Sequence, residues 1–150
     1  MSLKTYQQKR DFKKTSEPKG APQKRVFKNP LFVVHEHWAS HHHFDFRLEI
    51  GGVLKSWAVP KTPPLVKTEK RLAVQVEDHP LEYARFHGVI PKGQYGAGRV
   101  AIWDRGVIKD LKQENNLIEF ELKGKRLTGR YALVHPPKFE KKNWLLLKRD

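Results

Sequence analysis

From residue 31 onward, apolar and polar residues alternate with a period of two. Phe44, Phe46, Leu48 and Ile50 alternate with His43, Asp45, Arg47 and Glu49. Successive strand side chains point to opposite faces, so this run predicts a β-strand with one apolar and one polar face. Gly51-Gly52 follows and Val53–Val59 runs back, which predicts a hairpin. Leu72, Val74 and Val76 alternate with Ala73, Gln75 and Glu77. Val100 and Ile102 lie on a further strand, ended by Asp104-Arg105-Gly106. Ile118, Phe120 and Leu122 alternate with Glu119 and Glu121, and Gly129–His135 and Asn143–Lys148 supply two more strands. Short strands punctuated by Gly and Pro, with no strong helical period, predict an all-β barrel or sandwich.

Residues 1–30 follow another pattern. They hold Lys4, Lys9, Arg10, Lys13, Lys14, Lys19, Lys24, Arg25 and Lys28 against two acids, Asp11 and Glu17. Pro18, Gly20, Pro22 and Pro30 interrupt regular structure. This reads as an extended, partly ordered basic arm, although composition alone favours a disordered tail. The expected organisation is an arm over 1–30 and one folded domain over 31–150.

The 150 residues suffice for a single core. A formal charge of +14 attracts polyanions, with nucleic acid ahead of an acidic membrane surface, because the arm has few apolar anchors. There is no cysteine, hence neither a disulfide framework nor a thiolate metal site. No stretch reaches the length of a membrane span and no signal-peptide core is visible, so a soluble cytoplasmic protein is expected.

The densest chemical signal is His35-Glu36-His37-Trp38-Ala39-Ser40-His41-His42-His43-Phe44-Asp45-Phe46-Arg47. On an extended strand His43, Asp45 and Arg47 share a face, while Phe44 and Phe46 enter the opposite layer. A turn through Ala39–His41 folds His37 beside His43. Two imidazoles and a carboxylate make a three-donor set with open positions, suited to Mn²⁺ or Zn²⁺. Arg47, one step further on the same face, stands where a metal-bound phosphate needs a second positive group. The plain alternative is a surface histidine cluster that binds metal adventitiously.

A second cluster is Glu77-Asp78-His79-Pro80-Leu81-Glu82-Tyr83. There His79 can serve a phosphoryl or leaving oxygen, Glu77 or Asp78 can orient a histidine, and Tyr83 offers a hydroxyl. Ordinary polar residues at a strand end explain this segment equally well. Gly88 to Gly98 holds four glycines, which fits a tight connection of structural value only. The four tryptophans read mainly as packing groups, although one exposed beside the site could stack on a base.

These stretches together resemble the 3′-phosphoesterase module of bacterial DNA ligase D, the end-joining repair ligase. The resemblance runs through Tyr6-x-x-Lys9-Arg10-Asp11-Phe12-x-x-Thr15-x-Glu17-Pro18, His37 to Glu49, and Leu54 to Lys61. Leu72 to Tyr83 and Ile90-Pro91-x-Gly93-x-Tyr95-Gly96-Ala97-Gly98 complete it. Five ordered blocks are more specific than any one motif.

The resemblance implies a compact β-barrel with Mn²⁺-dependent activity, Zn²⁺ or Co²⁺ being other candidate ions. It implies removal of a 3′-terminal ribonucleoside from a primer strand, then of the remaining 3′-phosphate, leaving a 3′-OH. His37, His43 and Asp45 fall on metal-ligand positions. Arg47, His79 and Tyr83 fall on phosphate-contacting or catalytic positions. Arg10, Asp11 and Glu17 match arm residues that handle substrate, and Lys61 and Arg71 match supporting basic positions. His35, His41 and His42 lie outside the motif, so replacing them is expected to be mild. No Lys-x-Asp-Gly ligase motif occurs. A partner ATP-dependent ligase, with polymerase and end-binding protein, is therefore expected as separate chains around a monomer. The rival readings are a non-catalytic β-barrel that binds single-stranded nucleic acid and a small-molecule metal enzyme on a cupin-like barrel.

Overall fold

The computed structural model describes residues 3–20 and 29–150. Pro22, Lys24, Arg25 and Lys28 of the basic arm lie outside the described residues. After the five-residue helix α1 (Lys4–Gln8) come nine strands: β1 (Leu31–Trp38), β2 (His42–Ile50), β3 (Val53–Val59), β4 (Lys70–His79), β5 (Gly88–Ile90), β6 (Gly98–Glu114), β7 (Leu117–Lys123), β8 (Thr128–Val134) and β9 (Asn143–Lys148). A one-turn 3₁₀ helix, Leu81–Arg85, lies between β4 and β5.

All strand pairings are antiparallel, in the order β1-β2-β3-β4-β9-β8-β7-β6, and β6 returns to pair with β1. Eight strands thus close into a barrel, which removes the exposed edges of an open sheet. Short β5 adds to the start of β6 outside the closed ring. The fold is all-β, as the alternation and the resemblance led one to expect.

The barrel interior is filled by side chains. Phe32, Val34, Phe44, Phe46, Leu48, Trp57 and Val59 from the first three strands meet Ile108, Phe120, Leu122, Tyr131 and Leu146 from the others. Gly51 and Gly52, with φ of 63° and 83°, supply the two positive-φ positions of a tight two-residue hairpin turn. That turn sets the register, pairing Ile50 with Val53 and Arg47 with Ser56.

A second apolar cluster lies on the outer side of the same wall. Tyr6, Val33, Leu54, Tyr83, Ala84, Phe86, Ile90 and Val100 form it. The arm is docked here: Tyr6 is fully buried and its hydroxyl donates to the Pro18 carbonyl. Residues 3–20 are therefore a folded cover on the barrel, and the disordered-tail alternative fails for them. Consequently β2 is buried on both faces, with Phe44, Phe46 and Leu48 inward and Asp45, Arg47 and Glu49 outward.

Two local expectations change. The strand containing Val100 does not end at Asp104-Arg105-Gly106 but continues to Glu114, passing from partner β1 to partner β7. The Asp104 carboxylate makes no turn of its own. It accepts the backbone N–H groups of Lys125, Arg126 and Leu127 at 2.9, 3.1 and 2.8 Å. In β4 the residue that joins the interior is Ala73, not the apolar set Leu72, Val74 and Val76, and Leu72 is exposed. The bulky Trp57 on the neighbouring strand occupies that part of the barrel, so a small residue fits beside it. Among the described residues no helix is long and apolar enough to cross a membrane.

Candidate metal and phosphate site

The polar outer face of β1, β2 and β3 carries the site. The loop Ala39–His41 brings the two strands into register so that His37 pairs directly with His43 and His35 with Asp45. One ligand atom each from His37, His43 and Asp45 lies within 4.8 Å of the others.

The imidazole tautomers follow from their partners. His37 Nε2 lies 2.7 Å from the Gly96 carbonyl, which can only accept, so Nε2 carries the proton. The other ring nitrogen, His37 Nδ1, faces Asp45 Oδ2 at 3.5 Å. His43 is arranged oppositely: Nδ1 donates to the His41 carbonyl at 2.8 Å, and Nε2 faces Asp45 Oδ1 at 3.2 Å. Two ring nitrogens and both carboxylate oxygens thus converge, with backbone carbonyls fixing each ring from behind. Metal-ligating histidines are commonly held this way, with the far ring nitrogen donating to a backbone carbonyl. Burial works against a charge on His43, but the hydrogen bond and charge of Asp45 outweigh it and raise the imidazole. Burial alone would raise the Asp45 carboxyl, yet Arg47 and the two histidines hold it well below the usual carboxylate range. A concave set of donors with positive charge stored around an anion is what a divalent cation can replace.

Arg47 is buried beside this trio. Its Nη2 lies 3.4 Å from Asp45 Oδ2, its Nη1 donates to Ser56 Oγ at 2.9 Å, and its Nε donates to His35 Nδ1 at 3.1 Å. His35 in turn donates Nε2–H to the Phe86 carbonyl at 2.9 Å. Burial and the Arg47 charge push His35 down to about 3, so it is a neutral acceptor that fixes the guanidinium plane. His35 thus contacts the site although it lies outside the motif, whereas His41 and His42 are exposed.

The second cluster joins the first through Ser56 and Arg47. His79 Nδ1 donates to the Glu77 carbonyl at 3.0 Å, leaving Nε2 bare and facing Arg10 Nη2 at 3.4 Å. Burial, then the charges of Arg47 and Arg10, hold His79 well below the ordinary imidazole value. Arg47 also lies 4.9 Å from the centre of the Tyr83 ring. The Tyr83 hydroxyl donates to Glu17 Oε2 at 2.7 Å, and burial followed by that carboxylate raises the phenol well above its usual range.

The arm completes this network. Glu17 is buried and accepts from Arg10 Nε at 2.9 Å, Tyr83 and Thr15 Oγ1, the last at 3.0 Å. Arg10 and Lys9 also reach the Glu77 carboxylate, at 3.4 and 3.3 Å. Asp11 is exposed, with Oδ1 accepting the Lys13 N–H.

The structure therefore brings together His37, His43, Asp45, Arg47, His79, Tyr83, Arg10 and Glu17. Exposed Lys61 lies two residues past Val59, the partner of Phe44, and so stands at the barrel rim. Arg71 is not part of the cluster. It sits near the opposite end of β4 from His79, bound to the Thr62 carbonyl at 2.7 Å and to Glu69 at 2.7 Å. Sequence reading missed His35, Ser56 and Gly96. Ser56 was accessible from the hairpin register, whereas Gly96 and the Phe86 carbonyl act through backbone atoms that no side-chain pattern reveals.

Similarity to known proteins agrees with this geometry. Residues 35–135 match the DNA ligase D 3′-phosphoesterase domain. The chain is 47% identical over 153 aligned residues to the multifunctional non-homologous end joining protein LigD of Pseudomonas aeruginosa, covering 97% of this chain and 18% of that protein. It is 44% identical over 154 residues to the LigD protein of Mycolicibacterium smegmatis, covering 95% of this chain and 20% of the relative. The LigD DNA repair protein of Mycobacterium tuberculosis is 46% identical over 136 residues, 88% of this chain and 18% of its own length. The chain thus spans at most 20% of the length of these relatives. By the matched domain and this level of identity, the chain belongs to the DNA ligase D 3′-phosphoesterase family.

Proposed function

We propose that the chain is a divalent-metal-dependent phosphoesterase that heals the 3′ ends of nucleic-acid strands for end joining. It removes a 3′-terminal ribonucleoside and a 3′-phosphate to leave a 3′-OH. The observation that carries this reading is the convergence of His37 Nδ1 and His43 Nε2 on the Asp45 carboxylate, beside Arg47. Two imidazoles and one carboxylate suit a borderline divalent ion, and Mn²⁺ is our choice among them. Such an ion, held by His37, His43 and Asp45, supplies positive charge to a phosphoryl oxygen and acidifies water.

The remaining work belongs to the chain. Phosphoryl transfer spreads charge over the phosphoryl oxygens, so fixed cations close to them lower the barrier. Arg47 and Arg10 supply those cations, each held in place by buried acceptors. In the free protein His79 is neutral and its Nε2 accepts. A phosphate entering between the guanidiniums reverses the local charge and raises the proton affinity of His79, which then donates to the departing oxygen. Tyr83 keeps Glu17 and Arg47 at their stations. Glu17 is buried and already accepts from Arg10, Tyr83 and Thr15, which supports a role in orienting Arg10 rather than in binding a ribose hydroxyl.

The test is a primer-template ending in a 3′-phosphate or a ribonucleotide, incubated with and without Mn²⁺. Metal-dependent appearance of a 3′-OH supports the reading. Tight binding with both ends left intact would favour a non-catalytic nucleic-acid binder.

A further inference from the structure

One group of side chains next to the site has no part in the mechanism. On the β1–β2 hairpin the rung beyond the His37–His43 pair is Trp38–His42. These two side chains leave the wall on its other face, at the barrel rim. The Trp38 and His42 rings stack at 5.5 Å with 20° between planes. Ring contacts continue from His42 to Phe44 at 5.4 Å, tilted by 60°, and from Phe44 to Trp103 at 5.6 Å, edge to face. A cation caps each end: the Arg99 guanidinium lies 4.6 Å from the Trp38 ring centre, and the Arg126 guanidinium 4.9 Å from that of Trp103.

The ladder is open to solvent where it meets the site. Trp38 is 37% exposed, an unusual placement for an indole, and Arg99 is exposed. The Glu36 carboxylate accepts from His42 Nε2 at 2.8 Å and sets that ring against the indole. Phe44 is buried and forms the floor. The position is fixed by the backbone of Gly98, where any Cβ would collide with the Trp38 carbonyl.

We propose that Trp38 is the platform for the nucleobase of the last nucleotide that the strand retains, the one bearing the phosphate under attack. This rests on the 3′-phosphoesterase reading above. The phosphate then lies on the outer face of the wall at His37 and His43, and the attached base folds over the rim onto the indole. The base displaces Arg99 from the ring face, and the freed guanidinium pairs with the adjoining phosphodiester. An exposed cation–π contact is weaker than a base–aromatic stack, so this exchange favours the bound strand. Stacking uses a π-face that every base has, so the platform accepts any sequence. That suits an enzyme that acts on broken ends.

The experiment compares two oligothymidylates ending in a 3′-phosphate, one of them with an abasic terminal sugar. Hydrolysis with Mn²⁺ is followed as kcat/KM. The wild-type chain should prefer the end with a base by roughly tenfold, mainly through KM. Trp38→Ala should abolish the preference and leave the abasic end unaffected, while Trp38→Phe should retain most of it. Arg99→Gln should reduce the slope of log affinity against log salt by about one. In parallel, the 3′-OH product strand should quench intrinsic fluorescence, and Trp38→Phe should lose that quenching while still binding.

A wild-type chain that hydrolyses both ends equally overturns the platform and leaves the phosphoesterase reading intact. So does a Trp38→Ala variant that still discriminates, or one that loses both ends alike. If neither end is hydrolysed but the base-dependent quenching persists, the platform stands and the phosphoesterase reading falls.

Discussion

The two faces of β2 are buried to the same degree and held by different physics. Inward, Phe44, Phe46 and Leu48 pack in an apolar barrel interior. Outward, Asp45, Arg47 and Glu49 are as hidden from water, yet all are ionisable. The inner face gains stability from the area it removes from water. The outer face must satisfy every charge it hides, and it does so with backbone carbonyls, a serine, a neutral histidine and the arm. Truncating the first face should damage the fold, and truncating the second should damage chemistry.

The largest effect is expected from a pair of substitutions one residue apart. Asp45→Asn should lower turnover by about a thousandfold, because it removes a donor charge where phosphoryl charge is balanced. Stability should fall as well, because the buried Arg47 charge loses its carboxylate. Phe46→Ala should destabilise by about 3–5 kcal/mol through the cavity it leaves. Thermal melts beside a single-turnover assay distinguish the two. A Phe46→Ala variant that, while still folded, loses as much turnover as Asp45→Asn would erase the contrast between the faces.

The next test asks whether the arm belongs to the outer face. Glu17→Ala leaves the Arg10 charge buried without its partner and frees Tyr83. Breaking such a pair costs about 3–5 kcal/mol. Activity should fall alike on ribonucleotide-ended and 3′-phosphate-ended primers, since Glu17 serves the shared phosphate cradle. Asp11→Ala, at an exposed position, should change 3′-phosphate removal less than twofold. A loss confined to the ribonucleotide primer in Glu17→Ala would return Glu17 to sugar recognition.

A smaller effect separates histidines that look alike in sequence. His35→Ala should reduce kcat by about ten- to a hundredfold, the range typical of groups that hold a site's working side chain in place, with His35→Gln recovering part of the loss. His41→Ala should stay within twofold. If the two variants behave alike, Arg47 does not depend on its buried acceptor.

The smallest is a shift in melting without turnover. Mn²⁺ at a hundredfold excess over its dissociation constant should stabilise the wild type by about 2.7 kcal/mol. It should do nothing for His43→Ala. Equal stabilisation of both would move the ion elsewhere.

Much of the outer face was legible because strand geometry is arithmetic. Once Gly51-Gly52 is read as a two-residue turn, Arg47 must oppose Ser56, and the period of two places His43, Asp45 and Arg47 together. The loop Ala39–His41 likewise puts His37 against His43. Leu72, Val74 and Val76 show where the arithmetic stops: alternation reveals that they share a face, but not which face the barrel encloses. That choice depends on Trp57 across the sheet. The folded arm was opaque to composition for a related reason. A basic, proline-broken segment has little apolar area of its own, and Tyr6 becomes a core residue only against Leu54, Tyr83 and Phe86. Those partners are far away in sequence.

The two halves of the site also differ in when they can form. His37, His43 and Asp45 belong to one hairpin and need only a three-residue loop to meet. Closure of the ring, by contrast, joins residues as distant as His37 and Val100, and non-local pairings of this kind are slow to form. Glu77, His79, Tyr83 and Gly96 reach the trio only from the later part of the chain. A nascent or partly folded chain can thus gather its three donors well before it owns a phosphate cradle. On the proposed function, the three donors are the early part of the site to form, and the groups that work on phosphate are the late part.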